Sequence, residues 1–163
     1  MRAQLSGYAF NMASPRWLND AEMKAWRGFV TTSPDLLNAI ERDLGVFGLD
    51  TGDYQLLAML SEAPAHKLKM CDLADTLRLS RSGLTRRMDG VVKAKYVVRI
   101  QDKDDRRVSF AHLTTKGYEF LKKVAPLHLK DVRSRMIDLL NESEIKAIGS
   151  AFAKINAHLR ITE

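Results

Sequence analysis

The sequence predicts a mainly α fold with a small β-wing, and three features predict it. Apolar residues recur at steps of three and four through most of the 163 residues. One stretch, 96–113, instead sets a β-branched run and an alternating run around a wholly charged segment, the pattern of two strands and a turn. Ser, Thr, Asp and Asn also stand repeatedly just ahead of the helical stretches. There their side chains can accept hydrogen bonds from the first free backbone N–H groups.

Asn19, with Glu22 three residues on, forms a capping-box pattern, so a helix should begin there. Met23, Trp26, Val30 and Leu37 make its apolar side. Ser33-Pro34-Asp35 interrupts it. Proline lacks a backbone donor, which predicts a kink, or a restart with Ser33 as N-cap and Pro34 at the first helical position. The second piece should end near Leu44, at Gly45 and Gly48. Asp50 or Thr51 caps the next helix, whose inner side is Leu56, Leu57 and Leu60. Ala63-Pro64-Ala65 is a turn, residues 66–69 suit a short strand, and 70–77 suit a helix with Leu73, Ala74 and Leu77 inward.

Arg78-Leu79-Ser80 separates that helix from another, for which Ser80 is the N-cap. Leu84, Met88 and Val91 form one buried stripe on it, and Ser82, Arg86, Asp89 and Lys93 lie opposite. Two helices joined by a three-residue turn, the second with a basic outer face, describe a helix-turn-helix. The strands follow at 96–101 and 108–113, and a hairpin directly after a helix-turn-helix is a wing. Thr114 then caps a long helix expected to run through Leu121, Val124, Val132 and Met136 to about Leu140, bent at Pro126. Asn141 and Glu144 repeat the capping box. The last helix carries Ile145, Ile148, Phe152, Ile155 and Leu159 at alternating steps of three and four, a seam suited to a partner helix.

The formal net charge of the chain is +6. Residues 78–107 hold ten bases against four acids, so this one segment carries the whole excess. Positive charge concentrated in an otherwise neutral chain points to a polyanion partner. An anionic membrane surface fits less well, because no basic amphipathic helix rich in Trp or Phe is present. No apolar run is long enough to span a bilayer, and the first residues lack the apolar core of a secretory leader. A second methionine stands at Met12, so the first dozen residues read as a loose arm or as a product of start-site choice. The single Cys71 rules out an internal disulfide and fits a reducing cytoplasm. It opens a helix, where a dipole can lower a thiol pKa, although a half-buried filler is the plainer reading. His66, His112, His128 and His158 have no metal-ligand spacing. No nucleophile–base grouping or phosphate-binding glycine loop appears, so the sequence argues against an enzyme, a metal site or a cofactor.

Two stretches carry a family resemblance. Asp105-Arg106-Arg107 followed by Leu113-Thr114-Thr115-Lys116-Gly117 is similar to the wing signature of the MarR family of bacterial regulators. Leu73-Ala74 with 79–86 resembles the helix-turn-helix of that family, and the order of helices agrees. The resemblance spans roughly residues 20–160. It implies a dimeric winged helix-turn-helix: two helices, a short strand, two helices, two strands and two more helices. The implied divisions are an arm over 1–18, which need not be ordered, and a helix over 19–48 that serves dimerisation. A DNA-binding domain over 49–113 and further dimerisation helices over 114–163 complete the chain. Two departures stand out. Pro34 breaks a first helix that is usually continuous in the family. No cysteine lies between Met1 and Met70, which argues against peroxide sensing through the cysteine used by one branch.

The candidate DNA-binding residues are Ser80, Arg81, Ser82, Thr85, Arg86, Lys93, Arg106 and Arg107. Arg86 has the reach for a bidentate contact to guanine, while Ser82 and Thr85 suit base edges or phosphates. Gly83 lets the backbone come close. The resemblance gives Arg107 the role of a minor-groove probe, with Asp105 orienting the tip. The bland alternatives are a surface ion pair for Arg86 and simple closure of a hairpin turn by Asp105 and Arg107. Members of the family often bind small aromatic or anionic effectors between the dimer helices and the DNA module. Trp26 and Tyr54 are candidates to line such a pocket, or else plain core. The leading expectation is therefore a ligand-modulated regulator, usually a repressor, on an inverted-repeat operator. A non-sequence-specific architectural DNA-binding protein is the alternative, and a module that uses the winged fold for protein contacts is a more distant one.

Overall fold

The computed structural model describes residues 15–161. The expected arm over 1–18 therefore falls mostly outside the described residues, and 15–19 form neither helix nor strand. The chain divides into an N-terminal unit that ends at Asp35 and a larger unit that begins at Leu36.

Helix α1, Asp20–Gly45, crosses that boundary. Its start is the capping box read from the sequence. Asn19 Oδ1 accepts from the Glu22 N–H at 2.9 Å, and the Glu22 carboxylate accepts from the Asn19 N–H at 2.9 Å. The predicted restart at Ser33 does not occur, because Pro34 lies inside a single helical element. Ser33 is no N-cap. Its hydroxyl donates back to the Phe29 carbonyl at 2.6 Å, and the Thr31 hydroxyl donates to the Arg27 carbonyl at 2.7 Å. These are the side-chain bonds Ser and Thr make inside a helix. The expected apolar side also differs. Trp26, Val30 and Leu37 are exposed in the single chain, and the buried positions are Ala39, Ile40 and Leu44. An apolar stripe reports that a face seeks cover, not that its own chain supplies it.

In the larger unit, α2 spans Thr51–Glu62 and starts at Asp50, whose carboxylate accepts from the Asp53 N–H at 2.7 Å. Glu41 of α1 ties down the same end through the Thr51 N–H and hydroxyl, at 3.0 and 2.7 Å. A short 3-10 turn, Pro64–His66, leads into strand β1, Lys67–Lys69. Helix α3 covers Met70–Leu77. Arg78 closes it with a left-handed backbone, φ 54°, which lets its N–H cap the last turn. Helix α4, Arg81–Lys93, starts where Ser80 Oγ accepts from the Gly83 N–H at 3.0 Å, and it buries Leu84, Met88 and Val91.

Strands β2, Val97–Gln101, and β3, Ser109–Leu113, form the hairpin. β1 pairs antiparallel with β3 on its other edge, giving the order β1-β3-β2. Helix α5 covers Thr115–Arg135 and runs through Pro126. It ends short of the expected Leu140, because Met136 leaves helical geometry at φ −138° and a separate turn, Ile137–Leu139, follows. An ion pair from Arg133 to Asp138 spans that break. Helix α6, Glu142–Ile161, begins at the second capping box, where Asn141 and Glu144 exchange bonds of 3.0 and 2.8 Å.

One core unites the larger unit. Leu56, Leu57 and Leu60 of α2 are fully buried together with Leu73, Met88 and Val97, and Leu113 and Val124 close the same cluster. Burying one such side chain stabilises the fold by about 1.5–3 kcal/mol. Eight of them supply the rigidity that holds α4 and the hairpin in place.

Candidate functional site

The outer face of α4 and the tip of the hairpin meet around one cleft of about 360 Å³. Its lining includes Arg81 and Thr85 from α4, Arg107 from the tip, and Lys69 and Cys71 from the β1–α3 junction. Three of the candidate DNA-binding residues, Arg81, Thr85 and Arg107, are thus brought together. Ser80, Ser82 and Arg86 are exposed along the same helix, and the Ser80 and Ser82 hydroxyls lie 3.1 Å apart. Lys93 is exposed at the far end of α4 and does not line this cleft.

The tip is shaped by its carboxylates rather than merely decorated by them. Asp102 accepts from the Asp104 and Asp105 N–H groups at 2.9 and 3.1 Å. Those two bonds, with Lys67 and Lys69 nearby, hold the Asp102 carboxyl below its ordinary pKa. Asp105 accepts from the Arg107 N–H at 2.9 Å, and its carboxylate stands 3.5 Å from Arg107 Nε. The Arg107 side chain nevertheless remains 94% exposed. Arg106 is exposed beside it, and its carbonyl accepts from the Gln101 side chain.

Sequence reasoning missed two contributors. Lys67 and Lys69 join the basic surface only because β1 pairs with β3, a non-local contact that a three-residue strand gives little warning of. Arg87, by contrast, is withdrawn from it. It turns inward to pair with Asp50 and approaches Asp53 at 3.6 Å, which fastens α4 to the N-terminal end of α2. Arg99 does similar work from β2, donating to the Thr85 carbonyl at 3.0 Å and standing 3.3 Å from the Asp89 carboxylate.

A second cleft, of about 400 Å³, lies between the C-terminal half of α1, α2 and α5. Tyr54 lines it, with its ring centroid 4.1 Å from that of His128. Burial pushes the His128 imidazole below its ordinary 6.5, with Asp131 opposing, and its Nδ1 is buried without a hydrogen-bond partner. Burial, helped by the charge of Glu62, raises the Tyr54 phenol. Trp26 belongs to the N-terminal unit, where its ring lies 6.3 Å from that of Phe29. Among the described residues no helix is long and apolar enough to cross a membrane, and no three His, Cys, Asp or Glu side chains are grouped to hold a metal ion.

A helix-turn-helix over α3 and α4, followed by a three-stranded sheet whose hairpin flanks the second helix, defines a winged helix-turn-helix protein. A family model described as MarR family matches residues 47–108. The structure is similar to that of AbsC, a MarR family transcriptional regulator from Streptomyces coelicolor, with TM-score 0.85 and 38% identity over 90% of this chain and 99% of AbsC. It is equally similar to Sco3205 from the same organism, a MarR family regulator solved in complex with DNA. There the TM-score is 0.85 and the identity 32%, over 89% of this chain and 91% of Sco3205. Among curated proteins, the transcriptional regulator PapX of Escherichia coli is 27% identical over 95 residues, and the match spans 58% of each chain. The chain belongs to the MarR family of transcriptional regulators.

Proposed function

We propose that this protein is a sequence-specific DNA-binding repressor that grips an inverted-repeat operator as a homodimer in the cytoplasm and responds to a small effector. One observation carries the reading: two exposed cationic elements, the N-terminal half of α4 and the hairpin tip, flank a single cleft. A major groove admits one helix, and an adjacent narrow minor groove attracts an arginine. In this reading Ser80, Arg81, Ser82, Thr85 and Arg86 meet the major groove, Lys93 meets a phosphate, and Arg106 and Arg107 reach the minor groove. That Sco3205 was solved in complex with DNA supports DNA binding by this fold. The functional division follows, with 49–113 as the DNA-binding domain and 19–48 and 114–163 as the dimerisation region. Tyr54, which lines the second cleft, is the candidate effector contact, and Trp26 is not part of that lining.

Selection of bound duplexes from a random pool tests the reading. A recurring inverted repeat is expected, whereas an unenriched pool would leave only non-specific DNA binding. On the selected operator, Arg86→Ala should cost about 1–3 kcal/mol and relax specificity at one base pair. Lys93→Ala should weaken operator and random duplexes by one common factor, since a phosphate contact carries no sequence information. Equal losses on both duplexes for Arg86→Ala would move Arg86 to the backbone.

Dimerisation is supported by apolar surface that one copy leaves in water. Ile145 and Ile155 of α6 are exposed, as are Leu127 and Leu129 of α5. Obligate dimers bury surfaces of this kind. Sedimentation at micromolar concentration should show a dimer, and a folded monomer there would refute the two-fold assembly.

A further inference from the structure

We infer that the cleft between the C-terminal half of α1, α2 and α5 takes a lipophilic amine in its cationic form and rejects carboxylates of the same shape. The inference rests on the proposed regulation by a small molecule and specifies its chemistry. The walls are apolar, with Leu37, Ile40, Ala58 and Val132 among them, so a bound molecule must bring hydrophobic surface. The polar lining is Thr51, Gln55, Tyr54, Glu62 and His128. Thr51 and Gln55 can both donate and accept, and the other three favour a cation with N–H donors. Glu62 lines the cleft, and among the described residues it has no ion-pair partner. The Tyr54 ring offers a π face beside it. His128 Nδ1 is buried and unpartnered. Because burial keeps the imidazole neutral at ordinary pH, that nitrogen can accept a hydrogen bond from an ammonium.

Among the described residues no lysine or arginine lines the cleft. A carboxylate entering it would lose water, find no cation, and face Glu62 with Asp131 close to His128. Burying an unpaired charge next to a like charge is unfavourable on both counts. An ammonium loses water too, but the Glu62 carboxylate attracts it instead of repelling it.

Three naphthalene probes of nearly equal size separate these cases: 2-naphthylmethylamine, 2-naphthamide and 2-naphthoate. Calorimetric titration of the full-length protein without DNA, near pH 7.5, should give the order amine, amide, carboxylate, with the amine at least about ten-fold tighter than the carboxylate. Glu62→Gln should erase most of that preference while leaving the thermal melt unchanged, since Glu62 is exposed. Glu62→Lys should invert it. The inference is overturned if the carboxylate binds as tightly as the amine, if none of the probes binds, or if Glu62→Gln leaves the order intact. Operator affinity is measured separately, with and without the amine. Amine binding that left DNA affinity untouched would remove ligand control from the proposed function while upholding the charge selectivity of the cleft.

Discussion

Replacing Gly117 with alanine should destabilise the protein by roughly 3 kcal/mol, the upper end of what overpacking usually costs. An ideal Cβ at this position would stand 2.2 Å from the Tyr96 carbonyl oxygen and 2.8 Å from Leu113 Cδ1. The first obstacle is backbone, so it cannot swing aside as a side-chain tip would. It is also engaged. The Tyr96 carbonyl accepts from the Thr114 N–H at 2.9 Å, and the Thr114 hydroxyl donates to the Lys95 carbonyl at 2.8 Å. That hydroxyl in turn accepts from the Gly117 N–H at 3.0 Å, and Lys116 Nζ donates to the Ala94 carbonyl at 2.8 Å. The Leu-Thr-x-x-Gly signature is therefore a clamp. It presses the start of α5 against the turn between α4 and β2, with the Tyr96 and Phe120 rings stacked 4.3 Å apart beneath it. Any methyl group at 117 opens the clamp and loosens the base of the hairpin. Gly90→Ala is the matched control, because a Cβ there meets nothing within 4 Å on exposed α4. It should stabilise by about 0.5–1 kcal/mol through helix propensity. Urea melts followed by circular dichroism test the pair, and a Gly117→Ala midpoint equal to that of the parent would contradict the clamp.

The second large effect concerns the tip. Arg107→Ala should weaken operator binding roughly ten-fold, about 1.4 kcal/mol, and make the salt dependence shallower by about one unit. Arg107→Lys should recover only part of the loss although charge is kept. A planar, weakly hydrated guanidinium suits a narrow groove better than an ammonium. Asp105→Ala should fall between these, since it keeps the guanidinium but removes the acceptor that binds the Arg107 N–H. Stability should change by less than about 0.5 kcal/mol in each case, as expected of exposed tip residues. Titrations across a salt series beside thermal melts check this. A normally folded Arg107→Ala protein with full operator affinity would leave α4 as the sole DNA contact.

Features with local causes were legible in the sequence. Asn19 with Glu22, Asn141 with Glu144, Ser80 and Thr114 each cap the helix they were expected to cap, because an N-cap bond spans three residues and depends on little else. The buried stripe Leu84, Met88 and Val91 was equally plain from its spacing. Pairings distant along the chain were not. Nothing near Arg87 announces that Asp50 will take it, nor near Arg78 that Asn156 of α6 will bond to it. The pairing of Lys67 and Lys69 with the wing arises from sheet register alone. The apolar side of α1 shows a third kind of gap, in which periodicity reveals an apolar face that a single copy leaves exposed.

Helix α2 joins the second cleft to the DNA-reading helix. Its first turn holds Arg87 of α4, and its later residues Tyr54, Ala58 and Glu62 wall the apolar cavity. Twelve helical residues make a rod of about 18 Å that does not compress. Under the proposed regulation, a molecule wedged into the cavity would shift the end that anchors the DNA-reading helix. Linkage then makes the effect mutual: an occupant that lowers operator affinity by some factor has its own affinity lowered by that factor on operator-bound protein. The protein would thus report its ligand most sensitively when little DNA is bound. Weakening the Arg87 anchor, for example with Asp50→Asn, should uncouple the two equilibria without abolishing either one.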